Sequence, residues 1–144
     1  MYKCNDRRDA IHAVIAAHSS LKKTFDRFSD ELRKALESDT LYNVQFRQES
    51  PVCFELIFFD NVNVVFVFET VTDSGGNLHG SITATTGSDI IKVLYFNQQG
   101  NITESINQTM SNLNMLGLPG INALVLYFVD LLIQSKRAFK TVME

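Results

Sequence analysis

The 144-residue sequence has two cysteines, two prolines and no tryptophan, and from Gln48 to Ile91 it has no lysine or arginine. Cys4 and Cys53 do not have the look of a disulfide framework or a metal cluster. Both are therefore expected as reduced thiols in a cytoplasmic protein. The basic-free stretch still carries six acidic residues: Glu49, Glu55, Asp60, Glu69, Asp73 and Asp89. A surface of that sign repels phosphate, which argues against nucleic acid as a partner.

Other signals are missing as well. The opening MYKCNDRRDA lacks the apolar run of a signal peptide, so Asn101-Ile-Thr103 and Asn107-Gln-Thr109 read as chance matches to the glycosylation pattern. The apolar segment near the C-terminus, INALVLYFVDLLI, is too short to span a membrane and carries Asn122 and Asp130. No Gly-x-Ser-x-Gly, zinc-binding, Rossmann or RNA-binding aromatic signature appears. No cofactor, metal or membrane partner is therefore expected, and nothing specifies an enzyme.

What is present is an α+β pattern in a single domain, 1–144. The centre is Val52 to Val71, VCFELIFFDNVNVVFVFETV. It reads as two strands, rich in Val, Ile and Phe, broken at Asp60-Asn61. A three-residue loop would put Phe54, Leu56 and Phe58 on one face with Val64, Phe66 and Phe68. Cys53, Glu55, Ile57, Val65, Val67 and Glu69 would then share the other face. Both faces carry large apolar side chains, so each needs a cover. Around this hairpin, Tyr42–Glu49 reads as an edge strand with one wet face, Ser81–Thr86 as a weak strand and Ile90–Phe96 as a strong one. Short connections make the sum an antiparallel meander of about five strands.

Asp6 to Glu37 reads as one long helix, with Asp6 at its N-cap. Its apolar positions, Ile11, Val14, His18, Leu21, Phe25, Phe28, Leu32 and Ala35, follow heptad spacing. Unbroken, it would span roughly 48 Å, so it either breaks near Ser19-Ser20 or reaches past the body. Asn101–Asn112 reads as a polar helix and Ile121–Val142 as a final, mostly buried one. The C-terminal part thus supplies one or two helices packed on the sheet. With one helix on each face, the hairpin would be covered. With both on one face, the other needs a second subunit.

Four constellations bear on chemistry. Glu55 and Glu69 are expected as diagonal neighbours on one face, where paired carboxylates suit acid–base work. The loop Asp73–Gly80 has paired glycines that favour anion approach, and His79 with Asp73 or Asp89 offers metal-type ligands, against the plainer reading of a hairpin loop. His18 on the heptad seam would sense pH near 6 if it held a helix contact. Cys53 in an apolar strand is expected to be inert, and Cys4 beside Lys3 and Arg7 mildly reactive.

These features favour a non-enzymatic protein-interaction module. It would be a homodimer, or an inhibitor or immunity-type protein for a basic partner, meeting it through Leu21, Phe25, Phe28 and Leu32. The alternative is a small apolar-ligand-binding domain with a pocket lined by Phe54, Phe58, Phe66, Phe68, Tyr95 and Phe128.

Overall fold

Val44 to Thr103 folds as six antiparallel strands in strict meander order, β1-β2-β3-β4-β5-β6. The computed structural model describes residues 4–38, 43–107 and 113–143. The strands are β1 (Val44–Ser50), β2 (Cys53–Phe58), β3 (Val62–Thr72), β4 (Leu78–Thr86), β5 (Asp89–Phe96) and β6 (Ile102–Thr103). Helix α1 (Cys4–Ser38) precedes the sheet and α2 (Leu118–Gln134) follows it. The α+β class and meander are as the pattern predicts, with one strand more.

The register has the three-residue loop. Phe58 pairs with Val62, Leu56 with Val64 and Phe54 with Phe66. Phe59 and Asp60 make the turn with φ of 55° and 60°, and the Asn61 amide donates to the Phe58 carbonyl at 3.0 Å. One face of β2 and β3 is thereby wholly apolar. Phe54, Phe58, Val64, Phe66 and Phe68 are all nearly inaccessible to solvent.

Both helices cover that same face. From α1, the Phe25 ring stacks on Phe54 and Phe68, with centroids 5.7 and 5.3 Å away. From α2, Phe128 meets Phe66 edge-on at 4.9 Å. A direct tie joins the helices, because the Gly117 amide donates to Glu31 Oε2 at 2.9 Å. Burial of this row of aromatics stabilises the fold, each such side chain contributing about 1.5–3 kcal/mol.

Three sequence expectations are corrected. Of the two outcomes expected for α1 the unbroken one holds, but the helix is already formed at Cys4, so Asp6 lies inside it and does not cap it. The stretch expected as a polar helix from Asn101 begins instead as β6, where Ile102 and Thr103 pair with Phe96 and Tyr95. Residues 108–112 of that expected helix lie outside the described residues, as does Tyr42. Helix α2 ends at Gln134, because Lys136 adopts φ 61°. The chain then folds back, burying Ala138 and setting Phe139 against Phe59 at 4.9 Å. From Ile121 to Ile133, Leu126, Asp130 and Ile133 form one exposed stripe and the other positions are buried or half-buried, as the apolar pattern predicts.

Candidate functional site

With both helices on one face, no helix among the described residues covers the other face of the sheet. Strand pairing arranges its side chains in cross-strand rows. One row runs Arg47, Glu55, Val65. The next runs Cys53, Val67, Thr83, Val93. A third runs Glu69, Ser81, Tyr95, Thr103. Ile57, paired with Asn63, adds a further apolar position. Ile57, Val65, Val67, Val93 and Tyr95 are half-buried by their neighbours in the sheet, and none packs against the core. The centre of this face is aliphatic and its ionised groups are mostly acidic.

Glu55 is the buried charge of the face. Arg47 Nη2 reaches its Oε1 at 2.8 Å, while Arg47 Nε also holds Glu49 at 3.1 Å. Asn63 Nδ2 donates to Glu55 Oε2 at 3.5 Å. The expected diagonal pair with Glu69 does not form. Glu55 stands opposite Val65, and Glu69 lies four residues further along β3, about 13 Å away at the strand rise. The two carboxylates share a face without sharing a site. The Arg47–Glu55 pair was not foreseen, although the turn at Ser50-Pro51 and period-two alternation contain the signal for it. Cys53 lies beside this cluster. Burial pushes its thiol up, and the charges of Glu49 and Glu55 add to the effect, so it is a poor nucleophile at neutral pH.

The loop between β3 and β4 is closed on itself. Asp73 Oδ1 accepts the amides of Gly75 and Asn77, each at 2.9 Å. Its Oδ2 accepts from Asn77 Nδ2 at 3.1 Å and lies 2.9 Å from His79 Nε2. The bond to His79 foremost, and then those from Asn77, hold the Asp73 carboxyl far below the usual carboxylate range. The Gly75 amide is spent on Asp73 Oδ1 and the Gly76 amide on the Asp73 carbonyl at 3.0 Å, so both donors the glycine pair would offer an anion are taken. Asp89 is engaged elsewhere, with Arg137 Nη1 at 3.2 Å. Among the described residues no three ligating side chains are grouped to hold a metal ion. His18 Nδ1 lies 2.6 Å from Thr70 Oγ1, and its ring stacks on Phe68. His12 is exposed, and the side chain of Cys4 lies outside the described residues.

Leu21, Phe25, Phe28 and Leu32, the expected partner-facing seam, are buried in the chain's own core. What remains exposed of that stripe is its N-terminal part. Of the expected pocket, Phe54, Phe58, Phe66, Phe68 and Phe128 belong to the same core, and a void of about 20 Å³ is left around Phe54, Phe66 and Phe128. Tyr95 is on the opposite face. A larger cleft of about 310 Å³ lies between β5, β6 and α2, bounded by Leu94, Ile102, Leu113, Ala123, Leu124 and Tyr127. Lys92 stands over Tyr127, 5.9 Å from its ring centroid, and 3.6 Å from Glu104 Oε2.

Among the described residues no helix is long and apolar enough to cross a membrane. No protein-family model, no curated protein and no solved structure matches the chain.

Proposed function

We propose that this chain is a non-enzymatic protein-interaction module that docks another polypeptide on the open face of its sheet. One observation carries the reading: Ile57, Val65, Val67, Val93 and Tyr95 lie together on a face that neither helix covers. A contiguous apolar patch rimmed by polar groups is the usual mark of an interaction surface. Glu49, Glu55 and Glu69 against Arg47 give the face an acidic balance, which suits a partner with basic groups around an apolar centre. A photoreactive residue placed at Val67 is expected to cross-link a polypeptide in expressing cells. The same residue at Lys34, exposed on α1, is the control and should not. If Val67 captures no polypeptide, whether another protein or a second copy, the reading fails.

The cleft beside Tyr127 supports a second reading, the binding of a small apolar molecule. Its volume is at the lower end of ligand sites, and Lys92 supplies a cation near its wall. Titration with a medium-chain carboxylate should shift the NMR resonances of Ala123 and Leu113 but not those of Val67. Unmoved resonances at millimolar ligand would remove this reading.

A further inference from the structure

Among the described residues two apolar surfaces lie uncovered, and they match each other. The first is the N-terminal part of α1, which projects past the body. Ile11, Val14 and Ile15 are 52%, 55% and 55% exposed, while Leu21 and Phe25 on the same stripe are fully buried. His18, against Phe68 and Thr70, marks the boundary. From Ala10 to Ser20 there is no acidic residue, lysine or arginine. A helix that stands in water is normally laced with charged pairs. This one has three aliphatic side chains in the open, and residues 7–16 are all exposed, in a segment where isolated helices are marginal. The second surface is the open sheet face.

We infer that the projecting part of α1 from one copy lies on the open sheet face of a second copy, reciprocally, in a two-fold dimer. The inference rests on the docking role proposed for that face. Charge favours it. The aliphatic stripe is flanked by Arg7, Arg8 and Asp9 at one end and by Lys22 and Lys23 at the other, all exposed, a balance that is still positive. The receiving face carries Glu49, Glu55 and Glu69 with Arg47. The same flanks oppose the simpler pairing of two projecting helices with each other. Run antiparallel, they would set Arg7 and Arg8 against Lys22 and Lys23, and like charges at an interface are penalised.

Dimensions agree as well. Residues 4–16 span about 20 Å as helix, while β3, with eleven residues, spans about 36 Å. Symmetry closes the arrangement. A two-fold axis in the plane of the sheet, beyond the end of β3 where α1 leaves the body, turns the second sheet over. Its open face then meets the first copy's projecting helix, and its own helix meets the first copy's open face. The contact is isologous, so it ends at two copies.

The test uses the full chain. Sedimentation velocity should give a dimer at tens of micromolar, and Ile15→Glu, which alters an exposed side chain, should give a folded monomer. In a Cys4→Ser, Cys53→Ser background, cysteine at Ile11, Val14 or Ile15 should be joined by a short bis-maleimide to a cysteine placed at Glu69, exposed on the open face, of the other copy. A monomeric wild type, a dimer that survives Ile15→Glu, or cross-links joining the projecting helices to each other would overturn the inference. If Val67 captures only a foreign protein and the chain is monomeric, the docking reading stands and the reciprocal dimer does not.

Discussion

Arg47 and Glu55 face each other across β1 and β2, guanidinium to carboxylate at 2.8 Å, yet their surroundings differ sharply. The arginine side chain is 63% exposed and the glutamate side chain 9%. The pair therefore serves to neutralise a carboxylate that the sheet has taken out of water. Arg47→Ala is expected to destabilise the fold by about 1–3 kcal/mol, the cost of leaving a buried polar group without its partner. Glu55→Gln alone should cost less, and adding it to Arg47→Ala should recover part of the loss. Urea unfolding of the four species of this cycle measures the coupling. Strict additivity would mean that the arginine contributes nothing to holding Glu55.

Gly80 lies under the ring of Phe96, opposite it in the β4–β5 register. A Cβ at Gly80 would sit 2.2 Å from the ring edge, and Phe96 is fully buried and cannot swing away. Gly80→Ala is therefore expected to cost about 1–3 kcal/mol by overpacking. Phe96→Leu in the same chain should relieve the clash, so that the double variant is more stable than the sum of the two changes predicts. Thermal melts of all three would show it.

Period-two alternation carried most of the sheet. It placed Phe54, Leu56 and Phe58 with Val64, Phe66 and Phe68, because only one loop length makes a wholly apolar face there. Helix placement was not legible for the same reason. Ile57, Val65 and Val67 made the second face look as much in need of a cover as the first, and no local signal says which face a helix will choose. The end of α2 escaped because Lys136, not glycine, takes the left-handed conformation there. Ile102 and Thr103 sit in a polar stretch with helix-like spacing, and only the proximity of β5 makes them a strand. In the candidate surface, the open-face residues of β2 and β3 were legible from the alternation, whereas Tyr95 was expected on the core side and Thr103 in a helix. That the face stays bare is a property of the whole fold.

Phe139 is 63% exposed, yet its ring is 4.9 Å from Phe59, which itself sits in a turn at φ 55°. The contact pins the C-terminal segment beside the β2–β3 turn. Phe139→Ala is expected to cost about 0.5–1.5 kcal/mol, the usual worth of an aromatic pair. It should also raise hydrogen exchange at the Ala138 amide, which donates to the Leu132 carbonyl at 3.1 Å. Unchanged exchange there would mean that Ala138 holds the segment by itself.

The Asp73 carboxylate organises the β3–β4 loop through contacts to four groups, the Gly75 and Asn77 amides, Asn77 Nδ2 and His79 Nε2, and its folded-state pKa lies far below the ordinary value. The sign of the pH effect follows. A carboxyl with a depressed folded pKa stabilises the folded loop fully above the unfolded value of about 3.9, and that contribution is lost as pH falls towards the folded pKa. Wild-type protein should therefore lose stability between about pH 4 and pH 2 more steeply than Asp73→Asn. At neutral pH the variant should already be the weaker of the two, with faster exchange at the Gly75 and Asn77 amides, whose bonds to a charged oxygen become bonds to a neutral one. Parallel acid profiles of the two proteins would show that the loop's hydrogen bonds, and not the charge of Asp73, set its order.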